Sequence, residues 1–112
     1  MSTDIESGTA DVLISRRITV KDVQAAVAKA YDMSVQTLLT RTRRREIARP
    51  RQIAMYLATR LTSVSLPDIG DRFGGFDHTT VMYARDRIAE LAEQDPDMRQ
   101  MITKLVRAIR AD

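Results

Sequence analysis

Cysteine is absent from this 112-residue chain, which excludes disulfides, thiolate catalysis and cysteine-ligated zinc or iron–sulfur sites. Histidine occurs once, as His78, so a histidine-cluster metal site is not expected. No apolar run approaches the roughly 18 residues that a membrane span needs. The N-terminus lacks the basic start and apolar stretch of a signal peptide. A cytoplasmic protein is the default expectation. Lysine is scarce as well: only Lys21, Lys29 and Lys104, so arginine supplies 15 of the 18 basic residues.

What is present fits one folded domain. The chain is 44% hydrophobic and 29% charged, enough for a core but with little room for a second unit. The net charge of +3 hides an uneven distribution. Between Arg41 and Arg60 lie seven arginines (41, 43, 44, 45, 49, 51 and 60) against one acid, Glu46, so this segment carries +6 and the remainder −3. A basic block in a mildly acidic body points to a polyanion-facing patch. Arginine suits that task through its planar, forked donors. The alternative is a solvated charged face.

Residues 1–17 mix Ser, Thr, Gly and acids and read as a flexible tail; residues 18–112 form the expected domain. Thr19 and Asp22 make a cap pair close to a capping box, and Val20, Val23, Val27 and Tyr31 follow at helical spacing. Ser34 caps a short helix with Val35, Leu38 and Leu39. The run Arg41–Arg45 reads as a loop. Pro50 suits the first turn of the next helix, whose inner stripe is Ile53, Leu57 and Leu61, with Ala54 and Ala58 between. Ser65 caps another short helix, and Gly74-Gly75 ends it in a turn. Asp77 caps a helix striped by Val81, Ala84, Ile88 and Leu91. Pro96 begins a last helix with Met98, Met101, Ile102, Leu105 and Ile109. There is no strand-like alternation and no repeat. The fold expected is all-α, with about six helices.

Ser65 to Ala92 is the informative stretch: short helix, Gly-containing turn, longer capped helix. That is the layout of a helix-turn-helix, whose second helix places its N-terminal residues in the DNA major groove. Those residues here are Asp77, His78, Thr79 and Thr80, all polar. Asp77 can accept from a cytosine amino group, and the threonines offer hydroxyls and methyls to bases or phosphates. His78 can donate to a base or phosphate. For Asp77 and the threonines the alternative is plain helix capping; for His78 it is an exposed or capping histidine.

Three pieces in order carry a family resemblance: Ala48-Arg49-Pro50-Arg51-Gln52-Ile53-Ala54-Met55, then Ser65-Leu66-Pro67-Asp68-Ile69-Gly70, then Phe73-Gly74-Gly75-Phe76-Asp77-His78-Thr79-Thr80-Val81. From Ile18 to about Leu91 the chain resembles the C-terminal DNA-binding domain of DnaA, the bacterial chromosomal replication initiator. The resemblance implies a Trp-repressor-like helix-turn-helix bundle that binds the asymmetric DnaA box in double-stranded DNA. It implies that Arg43, from the basic loop, enters the minor groove, and that Asp77, His78 and Thr79 contact bases. Thr80 is expected at base or backbone, Leu66 and Pro67 against thymine methyls, and Arg51 and Gln52 near phosphates. Arg45 belongs to the same expected DNA-binding set. No cofactor, metal or nucleotide is implied.

Two residues depart from the family pattern. Phe76 stands where Arg or Lys is common, and Thr59 where a lysine often contacts the backbone. Each change can remove a phosphate interaction, with Arg44, Arg45 and Arg60 near enough to compensate. Phe76 is expected to pack on Phe73 or Tyr83; the alternative is an exposed partner surface. No G-x-x-x-x-G-K-[ST] phosphate loop occurs, so no ATPase activity is expected, and the chain reads as a stand-alone paralogue rather than a fragment. The leading expectation is a regulator of replication initiation or transcription that binds one box as a monomer, with dimerisation through the last helix as the alternative. A protein-interaction adaptor that keeps the helix-turn-helix as scaffold is the rival. An enzyme is not expected, because the acids are scattered or lie beside arginines.

Overall fold

A computed structural model describes residues 17–111; all of the expected N-terminal tail except Arg17, together with Asp112, lies outside the described residues. Six helices follow in order: α1 (Val20–Ala30), α2 (Val35–Leu38), α3 (Arg45–Leu61), α4 (Leu66–Arg72), α5 (His78–Gln94) and α6 (Pro96–Ala111). No strand occurs among the described residues, so the expected all-α bundle is the observed one.

The helix starts follow their polar caps. Thr19 and Asp22 complete a reciprocal capping box, with Asp22 Oδ2 accepting from the Thr19 amide at 2.9 Å and the Thr19 hydroxyl from the Asp22 amide at 3.1 Å. Aspartate thus serves where a longer side chain is usual. The Ser34 hydroxyl accepts from the Thr37 amide at 3.0 Å, and the Ser65 hydroxyl from the Asp68 amide at 3.3 Å. At its C-terminal end α1 closes in a Schellman arrangement, with the Met33 amide donating to the Ala28 carbonyl at 2.9 Å and the Asp32 amide to Lys29 at 3.2 Å. Asp32 occupies the left-handed position, φ 56°.

The start of α3 corrects the expectation drawn from Pro50. The helix begins at Arg45, so Pro50 lies inside it rather than in its first turn. Arginine and glutamate are good helix formers, and Glu46 complements the electropositive first turn. The amides of Ile47 and Ala48 both donate to the Arg44 carbonyl. Pro50 leaves only the Glu46 carbonyl without its usual i+4 donor, and Glu46 is exposed, where water can satisfy it.

The core forms around α3. Ile53 to Ala58 are all buried, so this helix is enclosed on every side at its middle. Val20, Val23 and Val27 of α1 pack on it, as do Ile69 and Phe73 of the α4 region and Val81, Ala84 and Ile88 of α5. Helix α6 bridges α1 and α5. Its Leu105 and Ile109 are buried, and Met98, Met101 and Ile102 pack half-buried against the same core. Gln24 is the buried polar side chain of α1; its amide donates to the Arg72 carbonyl at 3.0 Å, tying the end of α4 to α1.

Candidate nucleic-acid interface

The helix-turn-helix is α4, the turn 73–77 and α5. Its geometry rests on Gly70. The Gly70 carbonyl accepts from the amides of Gly75 (3.1 Å) and Phe76 (2.9 Å). A Cβ on Gly70 would lie 2.0 Å from the Phe76 carbonyl oxygen, so only glycine lets the turn come this close. Gly74 and Gly75 both have positive φ, 99° and 89°, which carries the chain back to start α5.

Asp77 is the N-cap of α5: its Oδ1 accepts from the Thr79 amide at 3.2 Å and lies 2.9 Å from His78 Nδ1. The Thr79 amide, and secondarily the His78 ring, hold the Asp77 carboxyl below the usual carboxylate range. Capping therefore does occur at Asp77, but it does not consume the side chain, which stays 65% exposed. His78 is 52% exposed at its side chain, with Nδ1 toward Asp77 and Nε2 as its second polar atom. Thr79 and Thr80 are exposed. Pro67 is exposed and Leu66 half-buried in the first turn of α4.

The basic loop between α2 and α3 lies against the turn of the helix-turn-helix. Arg41 Nη1 donates to the Gly75 carbonyl at 2.9 Å. Arg51, on α3, is only 7% exposed. Its Nη1 donates to the Thr40 carbonyl and its Nη2 to the Thr42 carbonyl at 2.9 Å. Burial, then the charge of Arg41, pulls the Arg51 guanidinium below its ordinary pKa. Arg51 thus grips the loop from beneath rather than facing solvent. Arg43 and Arg45 are exposed. Arg44 pairs with Glu46 at 2.7 Å while remaining exposed. Gln52 is half-buried.

Phe76 is half-buried against the core, and two guanidinium groups lie over its ring: Arg41 at 4.7 Å and Arg51 at 4.8 Å from the centroid. Phe76 thus packs against the core cluster that contains Phe73, as one of its two expected alternatives has it, and the two arginines are additional neighbours. Tyr83 is instead 61% exposed, and Met82 is partly exposed beside it. At the other departure, the Thr59 hydroxyl donates to the Tyr56 carbonyl of its own helix at 2.7 Å, and Arg60 stacks over Tyr56 at 5.7 Å.

Sequence reasoning passed over Arg49. It is half-buried, its Nη1 is enclosed with no hydrogen-bond partner, and desolvation, followed by Arg45 and Arg87, lowers its pKa. Its membership of a charge run gave no sign of that burial. Among the described residues no three His, Asp or Glu side chains gather as a metal-ligand set, and no helix is long and apolar enough to cross a membrane.

Comparison with known proteins agrees with this geometry. Residues 20–88 match the family described as the bacterial dnaA protein helix-turn-helix. The chromosomal replication initiator protein DnaA of Laribacter hongkongensis is 44% identical over 108 residues, 95% of this chain and 22% of that protein. The protein of the same name from Caulobacter sp. (strain K31) is 50% identical over 95 residues, and that of Rickettsia akari 48%, each match covering 85% of this chain and 20% of the relative. The chain spans about a fifth of the length of these curated relatives.

Proposed function

The chain belongs to the bacterial DnaA helix-turn-helix family, and on that premise we propose that residues 18–112 bind double-stranded DNA at DnaA-box-like sites. Binding is by one copy per asymmetric box, needs no nucleotide, and serves to regulate replication initiation or transcription, not to catalyse a reaction.

One observation carries this reading. An exposed polar quartet at the start of α5 and the exposed Arg43 and Arg45, on the neighbouring loop and the start of α3, are held close together through the Arg41–Gly75 bond and the Arg51 grip on Thr40 and Thr42. A helix N-terminus with polar side chains suits the major groove, and an arginine beside it suits an A·T-rich minor groove. In this reading Asp77, His78 and Thr79 read base edges, and Thr80 contacts base or backbone. Leu66 and Pro67 meet thymine methyls. Arg43 enters the minor groove, and Arg45 and Gln52 approach phosphates. Arg51 acts through the loop it holds. The surface is assembled from α3, α4, α5 and the loop before α3.

Fluorescence anisotropy with two labelled duplexes tests this, near physiological salt and without nucleotide. One duplex carries a DnaA box and the other the same bases scrambled. Box affinity at least about a hundredfold above scrambled is expected, a threshold set below the roughly thousandfold or more that typically separates specific from non-specific binding. Equal, weak, salt-sensitive binding to both would sink the proposal. It would favour the adaptor reading, for which Met82 and Tyr83, exposed beyond the polar quartet, supply a surface.

A further inference from the structure

Two arginines with like charge lie over one aromatic ring at the junction between the basic loop and the recognition turn. Arg41 approaches from the loop and Arg51 from α3, at 4.7 and 4.8 Å from the Phe76 centroid. Each is also fixed by hydrogen bonds to backbone carbonyls: Arg41 to Gly75 in the turn, Arg51 to Thr40 and Thr42 in the loop. The turn is closely fitted on the other side too, since a Cβ on Gly74 would come 3.1 Å from the Leu39 carbonyl oxygen. Left alone, the two guanidiniums repel each other. The electron-rich face of an aromatic ring attracts both and so lets them converge. A basic residue at position 76, the common family choice, would add a third positive charge to the same spot.

We infer that Phe76 is a positioning residue for DNA recognition: its ring gathers Arg41 and Arg51 and thereby locks the loop bearing Arg43 in fixed register with the start of α5. Phe76 touches neither groove in this account. It acts by keeping the minor-groove and major-groove readers at one spacing before DNA arrives, which removes an ordering cost from binding. The inference rests on the box-binding reading above, but the clamp itself exists in the free protein and is measurable there.

The test uses the full chain and the variants Phe76→Leu, Phe76→Tyr and Phe76→Arg, each first shown by circular dichroism to keep its helix content. In the free protein, the Nε–Hε resonances of Arg41 and Arg51 are followed by NMR. Ring-shifted resonances are expected in the wild type and in F76Y, moving toward the positions of exposed arginines in F76L and F76R. Box affinity is then measured by anisotropy. F76L and F76R should bind the box about 5- to 30-fold more weakly, the equivalent of two cation–π contacts, with scrambled-DNA binding unchanged for F76L. F76Y should stay within about twofold of wild type. Arginine resonances indifferent to F76L would overturn the clamp. Resonances that respond while F76L keeps wild-type box affinity would overturn the positioning role. A wild type with the clamp intact but no box preference would overturn the box-binding premise, and the positioning role with it.

Discussion

Asp77 has two duties that a substitution can separate. As N-cap it needs only a short side-chain acceptor for the Thr79 amide, which Ser supplies as well as Asp. As base reader it needs an acceptor projecting from an exposed helix start toward a cytosine amino group. Asp77→Ser is therefore expected to leave the thermal melt nearly unchanged while reducing discrimination at one base pair by roughly tenfold to a hundredfold. Anisotropy on duplexes substituted one position at a time would show it. Equal loss on box and scrambled DNA would remove Asp77 from the readers. A pH series isolates the charge. The Thr79 amide holds the folded-state pKa of Asp77 below the ordinary 3.8. A carboxylate with a depressed folded pKa stabilises the fold fully above its unfolded value and loses that contribution as pH falls through the folded one. The stability difference between wild type and Asp77→Asn should be constant above about pH 5 and shrink below it, as followed by thermal melts.

Single helices and turns supply the next test, because two backbone positions carry opposite kinds of constraint. Asp32 sits in the left-handed region at the end of α1, where glycine has no Cβ penalty. Asp32→Gly should raise stability by about 0.5–1 kcal/mol, seen as a higher denaturation midpoint with an unchanged slope. Gly70 is the reverse case: a methyl group there meets the Phe76 carbonyl at 2.0 Å, and because that neighbour is backbone it cannot swing aside. Gly70→Ala should cost about 1–3 kcal/mol or more and open the turn of the helix-turn-helix. These elements differ in how far the sequence revealed them. The caps at Thr19, Ser34, Ser65 and Asp77 were legible because each is a short polar side chain ahead of an apolar repeat. The start of α3 was not, since Pro50 mimics a first-turn signal and arginines suit loop and helix alike. The burial of Arg51 and the arginines over Phe76 were equally hidden. Both depend on the loop folding back across the turn between α4 and α5, a contact between positions 34 residues apart for Arg41 and Gly75, which no local pattern records.

For the whole molecule, the question is how many of the arginines between positions 41 and 60 act on DNA. Composition alone suggests all seven. The structure divides them. Arg51 is buried under the loop and Arg49 is half-enclosed, while Arg41 and Arg60 are exposed but engaged, Arg41 with the Gly75 carbonyl and the Phe76 ring and Arg60 with the Tyr56 ring. Arg43 and Arg45 are exposed as well, and Arg44 is an exposed ion pair that phosphate can displace, since such surface pairs are weak. If Arg43, Arg44 and Arg45 are the cations that displace counterions, the slope of log K against log salt is roughly −3, whereas all seven would give about −6. Anisotropy titrations on box DNA across a range of salt concentrations would distinguish the two. The same division separates the variants. Arg45→Gln should flatten the slope by about one unit and weaken box and scrambled DNA alike. Arg51→Gln should leave the slope nearly unchanged yet lower box affinity, because it releases the loop rather than removing a phosphate contact. A slope change of a full unit for Arg51→Gln would mean that this guanidinium leaves Thr40 and Thr42 to meet DNA, and that the grip seen in the free protein is a resting state of the loop.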